Sequence, residues 1–267
     1  MMIPAISFSN ARQLAADKDH KMRHVHIRYP MIGLIKSGRK TFLRNQSSHD
    51  VVENELFILQ KDSHWDIFNN TLGKGYYCSH IINLSPDTLQ LFYRYYPQIK
   101  PVKTQDCISC HSKTLFECFQ RTWLSLQDPH LSDQVKQHRT LELLLQLSEL
   151  NIYFPSPQQL SWTEKMQYLV ENDLAKSWRL SEIAAAFHVS ESTLKRRLLR
   201  EDTHFRQWLQ DLRLDTALSL ILSTSKNLAD IAQLCGYHSQ SRFSAAFKKR
   251  FDLLPSMIKT DKMTEYS

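Results

Sequence analysis

The sequence predicts an α+β chain of two domains, an N-terminal β-sandwich or barrel with helices followed by an all-α domain. Three observations predict it. Short apolar runs separated by polar turns fill residues 29–83, helical periodicity takes over after Ser85-Pro86-Asp87, and one helix–turn–helix pattern occurs twice between 178 and 259. At 267 residues, with 42% hydrophobic and 23% charged side chains, the chain is long enough for two domains with a core each.

In chain order, Ile32, Leu34 and Phe42 belong to runs broken at Ser37-Gly38 and again at 45–49. Leu56-Phe57-Ile58-Leu59 is a compact run suited to a buried strand, and Trp65, Ile67 and the stretch 76–84 add further strands. Ser85 is placed to cap a helix that starts with Pro86 at its first position. Two more helices are expected over 113–126 and 132–150. The second carries Val135, Leu141, Leu144, Leu145 and Leu147, a stripe that either packs on the β-domain or forms a dimer contact. Pro155-Ser156-Pro157 interrupts the chain, so a linker at 152–160 separates a domain of residues 1–151 from one of 161–267. Ser161 and Glu164 then have the spacing of a capping box.

Composition removes several function classes. Only five glycines occur, too few for a loop that brings backbone N–H groups onto phosphates in the Rossmann or P-loop manner. No apolar run reaches the ~18–20 residues of a membrane span, and residues 1–20 lack the cationic-then-apolar layout of a secretory signal, so a cytoplasmic protein without a membrane partner is expected. Five cysteines, an odd number, argue against a disulfide framework. The net charge of +7 favours a polyanionic partner. From 161 onward, however, 16 Lys and Arg face 13 Asp and Glu, so charge placement matters more than bulk charge.

The repeat carries most information. Leu180-Ser181-Glu182-Ile183-Ala184 leads through Ala186-Phe187-His188-Val189-Ser190 to Leu194 and Leu198. Its counterpart, Leu228-Ala229-Asp230-Ile231-Ala232, leads through Gly236-Tyr237-His238-Ser239 to Phe243 and Phe247. Ala184 and Ala232 let two helices cross closely, Gly236 suits a left-handed turn, and Ser190 and Ser239 suit helix caps. The i,i+4 pairs Leu194/Leu198 and Phe243/Phe247 bury one face of each second helix. The opposite faces carry Ser192, Lys195, Arg196 and Gln240, Ser241, Ser244. Between the copies, 205–222 reads as one amphipathic helix of about 27 Å at ~1.5 Å per residue, against a DNA turn of ~34 Å.

On these residues, together with Trp178, Phe205, Leu212-Arg213-Leu214, Ala217, Phe251 and Pro255, the segment 178–259 resembles the DNA-binding domain of the AraC/XylS transcription regulators. The resemblance implies base contacts from Ser192, Lys195, Arg196, Gln240, Ser241 and Ser244, by side chains that pair with purine edges. Phosphate contacts are expected from Arg197, Arg200, Arg206, Arg242, Lys248, Lys249 and Arg250. Asp202 or Thr203, and Asp252, stand where the family pattern has glycine, and Ile258-Lys259 replaces its Tyr-Arg ending; altered loop geometry is expected there.

The N-terminal half resembles the cupin-like regulatory domain of the same family, most closely its ToxT-type virulence-regulator branch. There a fatty-acid carboxylate is gripped by a lysine from each domain; the aligned positions here are Pro30 and Asn227, so that grip is absent. His24, His26, Arg28 and Lys36 are the candidates for an anionic, fatty-acid-like effector. The bland alternative is a ligand-free domain that dimerises or meets a protein partner.

Two metal-like patterns remain. His24-Val25-His26 has the H-x-H spacing of metal-binding cupins without a third ligand following, and Cys107-Ile108-Ser109-Cys110-His111 has the haem-attachment spacing but reads first as ordinary thiols in a connecting segment, with a zinc or redox site that includes Cys118 as the alternative. No metal or other cofactor is expected. The function expected is a sequence-specific DNA-binding transcription regulator, an activator working with promoter DNA and RNA polymerase. The alternative is a cysteine- or metal-based sensor or enzyme carrying a DNA-binding domain. No triad or carboxylate pair stands out, so no catalysis is expected.

Overall fold

In the computed structural model, residues 9–73, 75–100, 106–155 and 160–259 are described, less the side chains of 107 and 108. The chain divides into two compact units, one reaching residue 158 and one spanning 159–259.

The first unit contains β1 (Asn10–Ala16), β2 (His20–Ile27), β3 (Met31–Ser37), β4 (Arg39–Arg44), β5 (Ser47–Val52), β6 (Leu56–Leu59), β7 (Ser63–Asn70), β8 (Tyr77–Asn83), α1 (Pro86–Tyr95), β9 (Cys107–Cys110), α2 (Lys113–Gln127) and α3 (Asp133–Glu149). The strands form two antiparallel sheets, one ordered β1-β8-β3-β6-β9 and the other β2-β7-β4-β5. Phe42 of β4 meets Phe57 of β6 across the interior with ring centroids 5.0 Å apart, and Gly33 leaves the space into which the Phe57 ring fits.

The five-stranded sheet is covered on both faces. Ile32, Leu34, Leu56, Ile58 and Ile82 form a second cluster with Leu89, Phe92, Leu115, Phe119, Leu141, Leu143, Leu144 and Leu147 from the three helices. Burial on both faces is why β6 reads as an unbroken apolar run. Leu141, Leu144, Leu145 and Leu147 of the α3 stripe therefore pack inside their own unit, in line with the first of the two readings left open for it, while Val135 stays exposed. Side-chain oxygens of Ser85, Ser112 and Ser132 cap the three helices as their sequences require.

Two parts differ from the sequence reading. The β-region starts at Asn10, before residue 29, because β1 and β2 are edge strands rich in polar residues whose alternation a bulge between Met22 and Val25 interrupts. Cys107–Cys110 is an edge strand on β6 and not a connecting segment.

One interior position breaks the apolar rule. Lys40 alternates with Phe42 on the inward face of β4 and is only 4% exposed. Its ammonium donates to Asn69 Oδ1 at 2.8 Å and Tyr77 Oη at 3.3 Å, and lies over the rings of Phe42, Phe57 and Tyr77. Asn69 in turn bonds His20 Nε2 at 3.0 Å. No carboxylate pairs with Lys40 among the described residues, and burial pulls its pKa down from 10.5 to about 7.

The unfolded chain thus holds a proton above pH 7 that the native chain releases, so stability from Lys40 rises with pH. Cys78, pushed by burial from 9.0 up to about 12, opposes this above pH 9. Thermal unfolding of the full chain should show the N-terminal transition gaining up to ~1.4 kcal/mol per pH unit between pH 7 and 9. Lys40→Met should flatten that rise, and an unchanged pH dependence in the variant would remove Lys40 as its source.

Candidate nucleic-acid interface

The second unit contains α4 (Trp162–Glu171), α5 (Leu180–Ala186), α6 (Glu191–Arg200), α7 (Phe205–Ser223), α8 (Leu228–Leu234) and α9 (Gln240–Phe251), then a 3-10 turn at Pro255–Met257. The Ser161–Glu164 capping box starts α4. Glu201, at the end of α6, accepts from the backbone N–H groups of Trp162 and Thr163 at 2.7 and 3.0 Å and so fastens α6 to the start of α4.

The two copies are built alike. In the first, His188 turns the chain with φ 53, and Val189 N–H donates to Ala184 O at 3.0 Å. In the second, Gly236 turns it with φ 76, and Tyr237 N–H donates to Ala232 O at 2.9 Å. Both residues occupy the left-handed region, which glycine enters without the steric cost a Cβ imposes. Ser190 then accepts from Thr193 N–H, and Ser239 from Arg242 N–H, to cap α6 and α9. Asn227 caps α8.

Inward, Ile183, Ala184, Leu194 and Leu198 in the first copy are buried, as are Ile231, Ala232, Phe243, Phe247 and Phe251 in the second. The three phenylalanines form a ladder along α9, with centroid spacings of 5.7 and 4.7 Å. Outward, Ser192, Lys195 and Arg196 occupy one solvent face of α6 with Arg200 a turn further on. Gln240, Ser241, Arg242, Lys248 and Lys249 are exposed on α9, Ser244 is half-buried there, and Arg206 is exposed in the first turn of α7. The hydroxyls of Ser192 and Ser241 each bond the cap serine of their helix, at 2.9 and 2.7 Å.

Two of the cations expected on phosphates have protein partners. Arg250, 17% exposed, sits 3.4 Å from Asp211 and 3.5 Å from Asp215 of α7, charges that hold it within the unit. The Arg197 guanidinium lies 4.0 Å from the ring centroid of Trp162, which also packs edge-on against Phe187. Asp202 (φ 50) and Asp252 (φ 64) themselves adopt the left-handed conformation at the ends of α6 and α9, which a short polar side chain tolerates. Lys259 closes α7 by donating to Thr224 O at 2.5 Å.

Sequence reasoning gave Arg213 of α7 no role of its own. Its guanidinium donates to Leu174 O at 3.2 Å and Lys176 O at 2.7 Å and lies against Gly236. The turn glycine was a signal that something packs there.

In the first unit the effector candidates stand on different sheets. His24 is at the β2 bulge with its N–H on Asp66, and His26 stacks on His64 at 4.4 Å and pairs with Asp62. Arg28 follows β2, and Lys36 is half-buried on β3 of the other sheet, where its charge helps burial lower the pKa of His80 to about 4. Cys78 and Cys235 are buried, with thiols pushed up to about 12, and His111 bonds Glu55 and Ser109. No group of three or more metal-ligating side chains occurs among the described residues, and the side chain of Cys107 lies outside them. No described helix is long and apolar enough to cross a membrane.

Two serine-capped helices with polar and cationic outer faces, each in a helix–turn–helix of the same design, define a tandem helix-turn-helix protein joined to a two-sheet β-domain. Residues 183–260 match the family described as "Helix-turn-helix domain", and residues 30–153 match "ExsA N-terminal regulatory domain". The HTH-type transcriptional activator CfaD of Escherichia coli is 36% identical over 99 residues, 37% of each chain. The transcriptional activator PerA of Escherichia coli is 22% identical over 242 residues, 86% of this chain and 85% of that one. The structure of ToxT from Vibrio cholerae matches with a TM-score of 0.64 at 17% identity, over 95% of this chain and all of that one, and so shares the fold. Another ToxT structure is described as bound to an unsaturated fatty acid. The chain spans little more than a third of the length of the first curated relatives it matches. The C-terminal domain thus matches an AraC-type helix-turn-helix domain and the N-terminal domain an ExsA-type regulatory domain.

Gly236→Ala should cost about 1–3 kcal/mol, since alanine resists φ 76 and its Cβ would stand 2.6 Å from the Arg213 guanidinium. Urea unfolding followed by tryptophan fluorescence measures it, and a variant as stable as wild type would mean that the turn relaxes freely.

Proposed function

We propose that the chain is a sequence-specific DNA-binding transcription regulator, an activator that inserts α6 and α9 into successive major grooves of promoter DNA. The observation that carries this reading is the pair of equivalent helices, each with one face buried and the other lined by exposed polar and cationic side chains. Ser192, Lys195 and Arg196, with Gln240, Ser241 and Ser244, are the base-reading groups. Arginine and lysine suit guanine O6 and N7, and glutamine suits adenine. Arg200, Arg206, Arg242, Lys248 and Lys249 neutralise phosphates, while Arg197 and Arg250 serve mainly the fold.

In the same reading, residues 1–151 regulate and dimerise, 152–160 link, and 161–267 bind DNA, in the cytoplasm and together with RNA polymerase. An anionic, fatty-acid-like effector acts through the N-terminal domain. Its support is the fatty acid named for a ToxT structure and Lys36, which has no ion-pair partner among the described residues.

Selection from a random DNA pool with the full chain tests the reading and supplies the operator. Arg196→Ala and Gln240→Ala should each cost about 1–3 kcal/mol on that operator and relax preference at one base position. Lys248→Ala should weaken binding to all sequences and lower the salt slope by about 1. Unchanged binding by all three variants would overturn the proposal.

A further inference from the structure

We infer that Arg213, which bears on both helix-turn-helix units at once, sets the spacing at which α6 and α9 are offered to DNA. It would thereby determine operator half-site spacing without touching a base. The inference rests on the DNA-binding reading above.

Arg213 lies on α7, the helix that connects the two units. One edge of its guanidinium donates to the carbonyls of Leu174 and Lys176, in the loop that leads through Trp178 into α5. That loop is itself braced by the Trp178 indole N–H, which donates to Asp173 O at 2.8 Å. The guanidinium also rests on the turn of the second helix-turn-helix copy. A Cβ at Gly236 would come within 2.6 Å of Cζ and Nη2 and 2.9 Å of Nε, so the planar group lies against the Gly236 backbone. Both bonded partners are backbone carbonyls, and no carboxylate pairs with Arg213 among the described residues. Carbonyls fix the position of a fork of rigid donors as a flexible acidic side chain does not.

The setting explains why a staple is needed. Trp178, Lys195, Leu198, Leu209, Arg213 and Tyr237 line a cleft of about 860 Å3 that separates part of the first helix-turn-helix copy from the turn of the second copy. A half-buried guanidinium, bonded to the loop on one side and packed on the Gly236 turn on the other, ties the two sides of that cleft together. Arg213 is therefore a positioning residue, and losing it should loosen spacing rather than base preference.

The operator obtained by selection is remade with one or two base pairs inserted or removed between the two half-sites, and full-chain binding is measured on each. Wild type should lose roughly tenfold or more on a one-pair shift, comparable to a mismatched position. Arg213→Met should bind the native spacing more weakly and discriminate among spacings only about threefold or less, with the salt slope unchanged. Gly236→Ala, which displaces the guanidinium without changing charge, should flatten the profile in the same way, as should Arg213→Lys if the methionine variant fails to fold. A spacing profile with wild-type steepness in the folded variants overturns the inference. So does a salt slope lowered by about 1 with the profile intact, which would make Arg213 a phosphate contact. A wild-type chain that enriches no sequence overturns the DNA-binding reading itself, so the two failures are distinct.

Discussion

The C-terminal domain depends on one-sided burial of two short helices. A helix of ten or twelve residues has little stability alone, and α6 and α9 persist because Leu194 and Leu198, or Phe243, Phe247 and Phe251, are wholly buried along one edge. That commitment leaves the opposite edge free, so the face that can meet a ligand is defined by what the core has taken. The caps complete the arrangement. Ser190 and Ser239 satisfy first-turn N–H groups, while Asp202 and Asp252 turn the chain away at the far ends.

Charge in this domain divides into two populations. Arg197 covers a tryptophan, Arg250 is held by two aspartates, and Arg213 grips backbone carbonyls. The exposed cations of α6, α9 and the first turn of α7 have water as their competing partner, which is what a salt-sensitive contact with a polyanion requires. With a modest excess of positive charge in this half of the chain, that division matters more than the total.

The N-terminal domain solves a different problem. Its five-stranded sheet is an inner layer, covered by helices on one side and by the second sheet on the other, so β6, buried on both faces, is apolar throughout. Within that interior the Lys40–Asn69–His20 network keeps a titratable group where alternation calls for an apolar one. Burying an amine this way lowers its pKa instead of leaving a bare charge.

Elements whose stabilising signals are local could be read directly. The capped helices α1 to α4, the buried run of β6, and both copies of the repeat announce themselves through serine caps, proline at a first turn, a turn glycine and i,i+4 apolar pairs. The sequence alone determined which face of α6 and of α9 stays in solvent, because that face follows from helical periodicity. Only the tertiary structure decided the rest. Polar edge strands such as β1 and β2 exist because a neighbour pairs with their backbone, which side-chain patterning does not encode. Whether an arginine is a ligand contact or a strut depends on residues distant in sequence that folding brings beside it, such as Trp162 for Arg197 and Gly236 for Arg213.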